Sequence, residues 1–230
     1  MWADIFMASL WGGVVALDTT ALMQIMISRP IVACSVIGLI LGNFPLGFLI
    51  GILSELLYVS ELPVGAAKFA EGNVGATAAA TIAILTTEQL PSRPYAAIAC
   101  ALFLLIIISS IGGRLVLVMR QVNGRIYEKL VYKESLSARD INIAQFYGIV
   151  LAFVLGFVTV FTCCALFAHG LPWALKLVPE NNDIIFQSVQ GSMLAVGCVF
   201  LAHHFWRQTQ KKLIFILGLG LGMVLFISFL

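Results

Sequence analysis

Residues 94–118 read PYAAIACALFLLIIISSIGGRLVLV, and Arg114 is the only charged side chain among them. From Leu102 to Ile108 the run is almost unbroken bulky hydrocarbon. A helix needs about 20 mostly apolar residues to cross the hydrocarbon core of a bilayer. This stretch supplies them, and it sets the solvent for the rest of the chain. The composition agrees: 61% of the 230 residues are hydrophobic, 10% are charged, and the mean hydropathy is +1.04. A soluble domain carries about 25% charged residues because its surface faces water.

Working outward, residues 146–166 form a second strong span, residues 184–205 a moderate one, and residues 213–230 an apolar close. Upstream, residues 5–27 are apolar apart from Asp18, two threonines, Gln24 and a serine. Residues 31–59 are rich in glycine (Gly38, Gly42, Gly47, Gly51) and interrupted at Asn43-Phe44-Pro45, where proline disfavours helix in the residue before it. The chain therefore reads as one membrane-embedded unit, residues 1–230. It is an all-α polytopic membrane protein, a transmembrane helix bundle with broken or re-entrant segments in its N-terminal half. There is room for roughly six to eight segments of spanning length. No signal peptide is expected, since residues 1–11 carry no basic region ahead of a short apolar core.

Residues 114–139 are the one long polar stretch and read as a loop holding Arg114, Arg120, Arg125, Lys129, Lys133 and Arg139. A second basic cluster, Arg207, Lys211 and Lys212, lies two spans later, and the turn between them, residues 169–183, is not basic. Short cytoplasmic loops are enriched in Lys and Arg. Both clusters thus belong on the cytoplasmic side, with the C-terminus outside, while the N-terminal half has too few charges for the same argument.

Polar groups at membrane depth carry the functional signal. A carboxylate there costs about 3 kcal/mol on insertion scales, so it normally faces a cavity or a partner. Asp18, Gln24, Glu55, Glu61, Lys68, Glu71 and Asn73 all lie in or beside apolar segments. Carboxylates and amides suit the hydroxyls of a sugar, and also cation binding or a proton relay. Structural roles compete. Lys68 and Glu71 are three apart and would share a helical face as an ion pair; Glu61 would be solvated at a loop end; Asp18 would cap a helix before Thr19. Glu55, among apolar neighbours, is the hardest to explain structurally. Residues 65–83 are dominated by Gly and Ala, which let backbones pack closely, and this segment is the candidate for a solute site.

Other chemistry is not indicated. The five cysteines lie in apolar runs without metal-ligand spacing, His203 and His204 read as a cationic helix end, and Gly218, Gly220 and Gly222 lack the Lys that a phosphate loop requires. No cofactor, metal or nucleic-acid partner is expected.

The run from Ala16 to Gln24, the block Ser28-Arg29-Pro30 through Gly42-Asn43, Gly47 to Gly51 ahead of Glu55-Leu56-Leu57, and Leu62-Pro63-Val64-Gly65-Ala66-Ala67 stand in an order that resembles the IIC subunit of the mannose/fructose/sorbose-type phosphotransferase system. The likeness is good over residues 12–85 and beyond them is one of hydropathy and length. It implies a permease subunit in a bacterial cytoplasmic membrane, repeatedly paired with a IID membrane subunit. It also implies sugar uptake coupled to phosphorylation by cytoplasmic IIB and IIA phosphocarriers, with no phosphorylated residue of its own. By position, Glu55 would bind sugar hydroxyls and Glu71 would stand where relatives have aspartate. The residues before that acid depart from the usual pattern: Lys68-Phe69-Ala70 puts a cation nearby, which would also suit an anionic sugar. The expected site set is Glu55, Glu71, Asp18, Gln24, Lys68 and Asn73. Two other functions fit the composition: a stand-alone proton-coupled transporter, and a membrane interaction or sensory protein that keeps the fold without transport.

Overall fold

A computed structural model describes residues 1–22, 24–58, 70–133, 135, 137–179, 183–207, 212–213, 216–218 and 220. Seven helices are described: α1 (Trp2–Thr20), α2 (Pro30–Ile40), α3 (Phe44–Tyr58), α4 (Gly72–Gln89), α5 (Pro94–Val131), α6 (Ala138–Lys176) and α7 (Asp183–Arg207). Among the described residues, three helices are long and apolar enough to cross a membrane: α5, α6 and residues 185–203 of α7. The chain is a multi-pass, all-α membrane protein.

The expected break in residues 31–59 is present, and its cause is local. The amide of Asn43 donates to Gly38 O at 2.7 Å and that of Gly42 to Leu39 O at 3.3 Å, with Gly42 at φ +75°. This is the paired closure that satisfies the last carbonyls of a helix and needs a residue in the left-handed region. Pro45 then falls in the first turn of α3, where a missing N–H is harmless. The helices on either side have 11 and 15 residues, short of a full span. They fold back on each other as an antiparallel pair. A Cβ on Gly47 would meet Cys34 O and lie 2.7 Å from Gly38 Cα, and one on Gly51 would lie 2.9 Å from Pro30 O. Glycines at this spacing put the two backbones in direct contact.

The weakly apolar segment 72–89 is the centre of the molecule. Helix α4 is buried along almost its whole length and packs against α1, α2, α3, α5 and α6. Its Gly and Ala residues admit five neighbours because they bring almost no side-chain volume. Helix α1 runs antiparallel to α6: Trp2 lies 5.2 Å from His169, Phe6 lies 5.8 Å from Phe157, and Gly12 meets Gly156 with no room for a side chain. The N-terminus therefore sits at the end of the bundle where α6 finishes, a placement that charge alone left open.

The polar stretch 114–139 is not the loop that its composition suggested. Helix α5 runs unbroken to Val131 and α6 starts at Ala138. At 1.5 Å per residue each is about 57 Å long, roughly twice the hydrocarbon thickness. The turn is tied by Asp140, whose carboxylate accepts from Lys133 Nζ at 2.6 Å and the Ser137 amide at 3.1 Å. Arg, Lys and Glu are good helix formers, so polarity here marks emergence from the lipid and not the end of the helix. Helix α7 packs against α3 and α5, with Phe186 on Ala96 and Ala97 and Gly197 on Leu56. Its C-terminus thus returns to the end that carries the α5–α6 turn; Lys211 of the second basic cluster, and most of the expected apolar close at residues 213–230, lie outside the described residues.

At the opposite end, Arg93 is 4% exposed and its guanidinium donates to the carbonyls of Leu175, Val178 and Pro179. It adds a charged donor to the Leu175 carbonyl, which also accepts from the Val178 amide, and holds the two carbonyls just beyond the end of α6. We predict that Arg93→Ala lowers stability by about 2–4 kcal/mol, since charge-assisted bonds to buried acceptors are lost together. Thermal unfolding of the detergent-purified protein, followed by tryptophan fluorescence, checks this; an unchanged melting temperature would remove the role.

Candidate functional site

The described candidates gather at the basic end of the bundle, but they do not share one environment. Asp18 lies in the last turns of α1 and is buried. Its carboxylate accepts from the amides of Ile25 at 2.8 Å and Ser28 at 2.9 Å. Thr19 and Thr20 continue α1, so Asp18 does not cap a helix starting at Thr19. It ties down the connection to α2, a segment in which Gln24 and Met26 have φ of 53° and 69°. These are left-handed values that non-glycine residues seldom adopt.

Glu55, on α3, is also held. Its Oε1 lies 3.2 Å from Arg29 Nη1, and its Oε2 accepts from the Ile31 amide at 3.4 Å. Both partners stand at the start of α2, where unpaired amides and the helix dipole favour an anion. The pair closes the base of the α2–α3 hairpin. Glu61 and Lys68 lie outside the described residues, and so does the expected pairing of Lys68 with Glu71.

Glu71 is different. It precedes α4 and is 3% exposed, and neither carboxylate oxygen makes a hydrogen bond. Its amide donates to Ser109 O of α5 at 2.9 Å, and a Cβ at Gly112 would come within 2.9 Å of its own Cβ. Backbone on one side and a glycine on the other therefore fix its position. The favourable electrostatics come from the Val74 amide, at the start of α4, and from Arg120. The carboxylate lines a void of about 10 Å³, bounded by Ala16, Thr20, Val74, Val116, Met119 and Ala152 among others. That is close to the least space one water molecule needs.

Thr20, Met119 and Ala152 also wall a much larger open cleft of about 580 Å³ between the end of α1 and the lower parts of α5 and α6. Its polar lining is Thr19, Thr20, Gln24, Arg120, Asn123, Tyr127 and Gln145. Asn73 joins this region through its Nδ2, which donates to Thr19 Oγ1 at 3.2 Å. Gln24 reaches back to Thr20 O at 3.4 Å. Of the expected set, Gln24 lines the cleft, Asn73 is bonded to Thr19 of its wall, and Glu71 sits behind the shared residues Thr20, Met119 and Ala152, while Asp18 and Glu55 act as clasps of the segments around α2.

Arg120, Asn123, Tyr127 and Gln145 are absent from the set expected from sequence. The signal was present: positions 120, 123 and 127 share one face of a helix, but it is invisible while residues 114–139 are read as a loop. A face of amides, hydroxyls and one guanidinium, opposite threonines and with a buried carboxyl behind, offers donors and acceptors suited to a polyhydroxylated ligand.

Comparison with known proteins gives a consistent result. The family model described as the PTS system sorbose-specific IIC component matches residues 2–230. A curated relative, the PTS system sorbose-specific EIIC component of Lacticaseibacillus casei, is 28% identical over 87 residues, covering 38% of this chain and 31% of that protein. The aligned part thus spans about a third of the relative's own length.

Proposed function

We propose that this chain, which belongs to the sorbose-specific IIC family of the phosphotransferase system, binds a sugar within the membrane and passes it across for phosphorylation by a cytoplasmic IIB partner. Family membership makes it a sugar-specific permease subunit; the translocation step and the partners are the proposal. The observation that carries it is Glu71: a buried carboxyl with no hydrogen-bond partner, one thin wall away from a polar cleft. A buried carboxyl that the protein's own donors satisfy only in part is costly inside a membrane protein, and that cost is recovered when ligand hydroxyls donate to it. Asn73 and Thr19 stand ready as further partners.

In this reading the basic end faces the cytoplasm of a bacterial cell, by the excess of Lys and Arg there, and the N-terminus faces outward. The cleft then opens toward the phosphocarriers. Exposed apolar side chains on the outer faces, among them Phe103, Leu166, Trp173, Ile185 and Val199, suit lipid and a IID subunit, consistent with an assembly of repeated IIC–IID pairs.

The test is uptake of labelled hexoses by cells carrying this chain with IIA, IIB and IID, and by the same cells without IIB. Uptake that depends on IIB and yields intracellular hexose phosphate is expected. Transport by the purified chain alone in proteoliposomes, stopped by a proton uncoupler, would replace this reading with a secondary transporter.

Glu55 makes a separate prediction. Glu55→Gln is expected to reduce uptake at least tenfold at unchanged expression, because the base of the hairpin loses its ion pair. If the Arg29 pairing is the whole of its role, Glu55→Gln combined with Arg29→Gln restores much of the activity. If Glu55 touches sugar, the double variant stays inactive. Near-normal uptake by the single variant would exclude both roles.

A further inference from the structure

Two cavities meet at one partition. Thr20, Met119 and Ala152 line both the open cleft of about 580 Å³ and the void of about 10 Å³ that holds the Glu71 carboxyl. The void has barely room for one water molecule, so no hydroxyl carried on a sugar ring reaches Glu71 while the partition stands. Its three side chains differ in what they can do. Ala152 has no side-chain torsion to turn. Thr20 is β-branched and stiff, and its Oγ1 lies 3.5 Å from Ala16 O of its own helix. Met119 is unbranched, with three rotatable bonds, and adapts to irregular space.

The surroundings of Met119 are unequal. It is 7% exposed and clusters with Val116 and Ala152, which holds the side chain over the void. On its other side the cleft leaves volume into which a thioether can turn. A side chain enclosed on every side in a close-packed interior has no such alternative. Arg120, next along α5 and on the cleft side, exerts its field on the Glu71 carboxyl, so the partition is thin.

We infer that Met119 is the movable part of the sugar route: its side chain turns into the cleft, joins the void to it, and so admits a ligand hydroxyl to Glu71. The role rests on the reading of Glu71 as a sugar acceptor. Met119 is then a positioning residue that acts through Glu71 and needs no hydrogen bond to the sugar. It shields the carboxyl when the cleft is empty and sets how large a group can approach. Access depends on how freely the side chain changes rotamer, not on its volume. Leucine and isoleucine are close to methionine in size, but isoleucine is held to one χ1 rotamer in a helix.

The experiment reads Glu71 directly. The purified full chain in nanodiscs is treated with a water-soluble carbodiimide and an amine, and amide formation at Glu71 is followed by mass spectrometry. Asp4, partly exposed at the opposite end of the bundle, is the internal control and should react equally in every form. Met119→Ala is expected to speed modification of Glu71 at least tenfold, Met119→Ile to slow it at least threefold, and Met119→Leu to stay close to the parent. In cells supplying the partner subunits, Met119→Ile should lower hexose uptake at least fivefold at limiting sugar and much less at saturating sugar. A merely structural defect would lower uptake equally at both. Melting curves and size-exclusion profiles of the unliganded variants show whether each is folded; should Met119→Ala fail there, Met119→Leu and Met119→Ile carry the test.

Equal modification of Glu71 in every folded form overturns the inference. So does modification that follows residue 119 while Met119→Ile takes up hexose like the parent at limiting sugar. Both results leave the broader reading standing where uptake still depends on IIB. Uptake indifferent to IIB removes the phosphotransfer reading, and the modification rates then judge the partition separately.

Discussion

Glu71→Gln is expected to cut sugar uptake by about a hundredfold or more while leaving the protein folded and at least as stable as the parent. The two halves of this expectation come from one observation. Neither oxygen of the buried Glu71 carboxyl meets a donor in full hydrogen-bonding geometry, so what the amide forfeits inside the protein is the favourable field of the Val74 amide and Arg120, offset by relief of the burial cost. Removing a group whose ionised form costs about 3 kcal/mol at membrane depth is neutral or favourable for folding. Ligand binding has no such compensation. Each hydrogen bond from a sugar hydroxyl to an ionised acceptor contributes about 1.5–3 kcal/mol, and about 1.4 kcal/mol is a factor of ten. The amide nitrogen also presents donors where the ligand needs an acceptor. Glu71→Asp keeps the charge and shortens the reach by one methylene, so it should fall between the two. Uptake in cells supplying the partner subunits, normalised to membrane expression, decides the matter, with thermal unfolding as the companion measurement. Uptake by Glu71→Gln close to that of the parent would take Glu71 out of the sugar site. A collapse in stability would instead assign it a structural role.

The second large effect is structural. Gly47→Val should prevent accumulation of correctly folded protein. A Cβ at this position already meets Cys34 O and lies 2.7 Å from Gly38 Cα; both are backbone atoms of α2, so no side chain can rotate away. Overpacking a well-filled interior costs about 1–3 kcal/mol where neighbours can adjust. Here two helices must separate, which also strains the Glu55 contacts to Arg29 and Ile31 at the base of the hairpin. Size-exclusion profiles of a fluorescent fusion should lose their single peak. Gly170→Ala is the matched control, because an added Cβ there meets nothing within 4 Å. An Ala in a helix is favoured over Gly by about 0.5–1 kcal/mol, so the control should be neutral or slightly stabilising. An unaltered profile for Gly47→Val would mean that the hairpin does not depend on this contact.

The close-packing argument that the sequence supports for the Gly- and Ala-rich residues 65–83 applies equally to Gly38 and Gly47, whose glycine richness is visible but whose packing role only the hairpin shows. The interruption near Asn43 is legible for a local reason, although it is Gly42 in a left-handed conformation that ends α2 and not the later proline. Residues 114–139 behave differently. Their charges suggest a loop, whereas Arg, Lys and Glu extend a helix well once it has left the lipid. Read as a loop, the stretch hides the shared face of Arg120, Asn123 and Tyr127, and with it the cleft.

What the amino-acid order determined by itself is the solvent and the presence of apolar helices long enough to cross it. These are additive properties: each residue contributes its own transfer free energy, and neighbours along the chain are enough to sum it. Tertiary structure alone decided which of the polar groups is spoken for. Asp18 is met by amides 7 and 10 residues away, Glu55 by an amide 24 residues away, and Asn73 by a hydroxyl 54 residues away, while Glu71 is left without a hydrogen bond. Three carboxyl groups of similar chemistry thus acquire different roles, because satisfaction of a hydrogen bond depends on what the fold brings within about 3 Å, and no one-dimensional pattern records that distance.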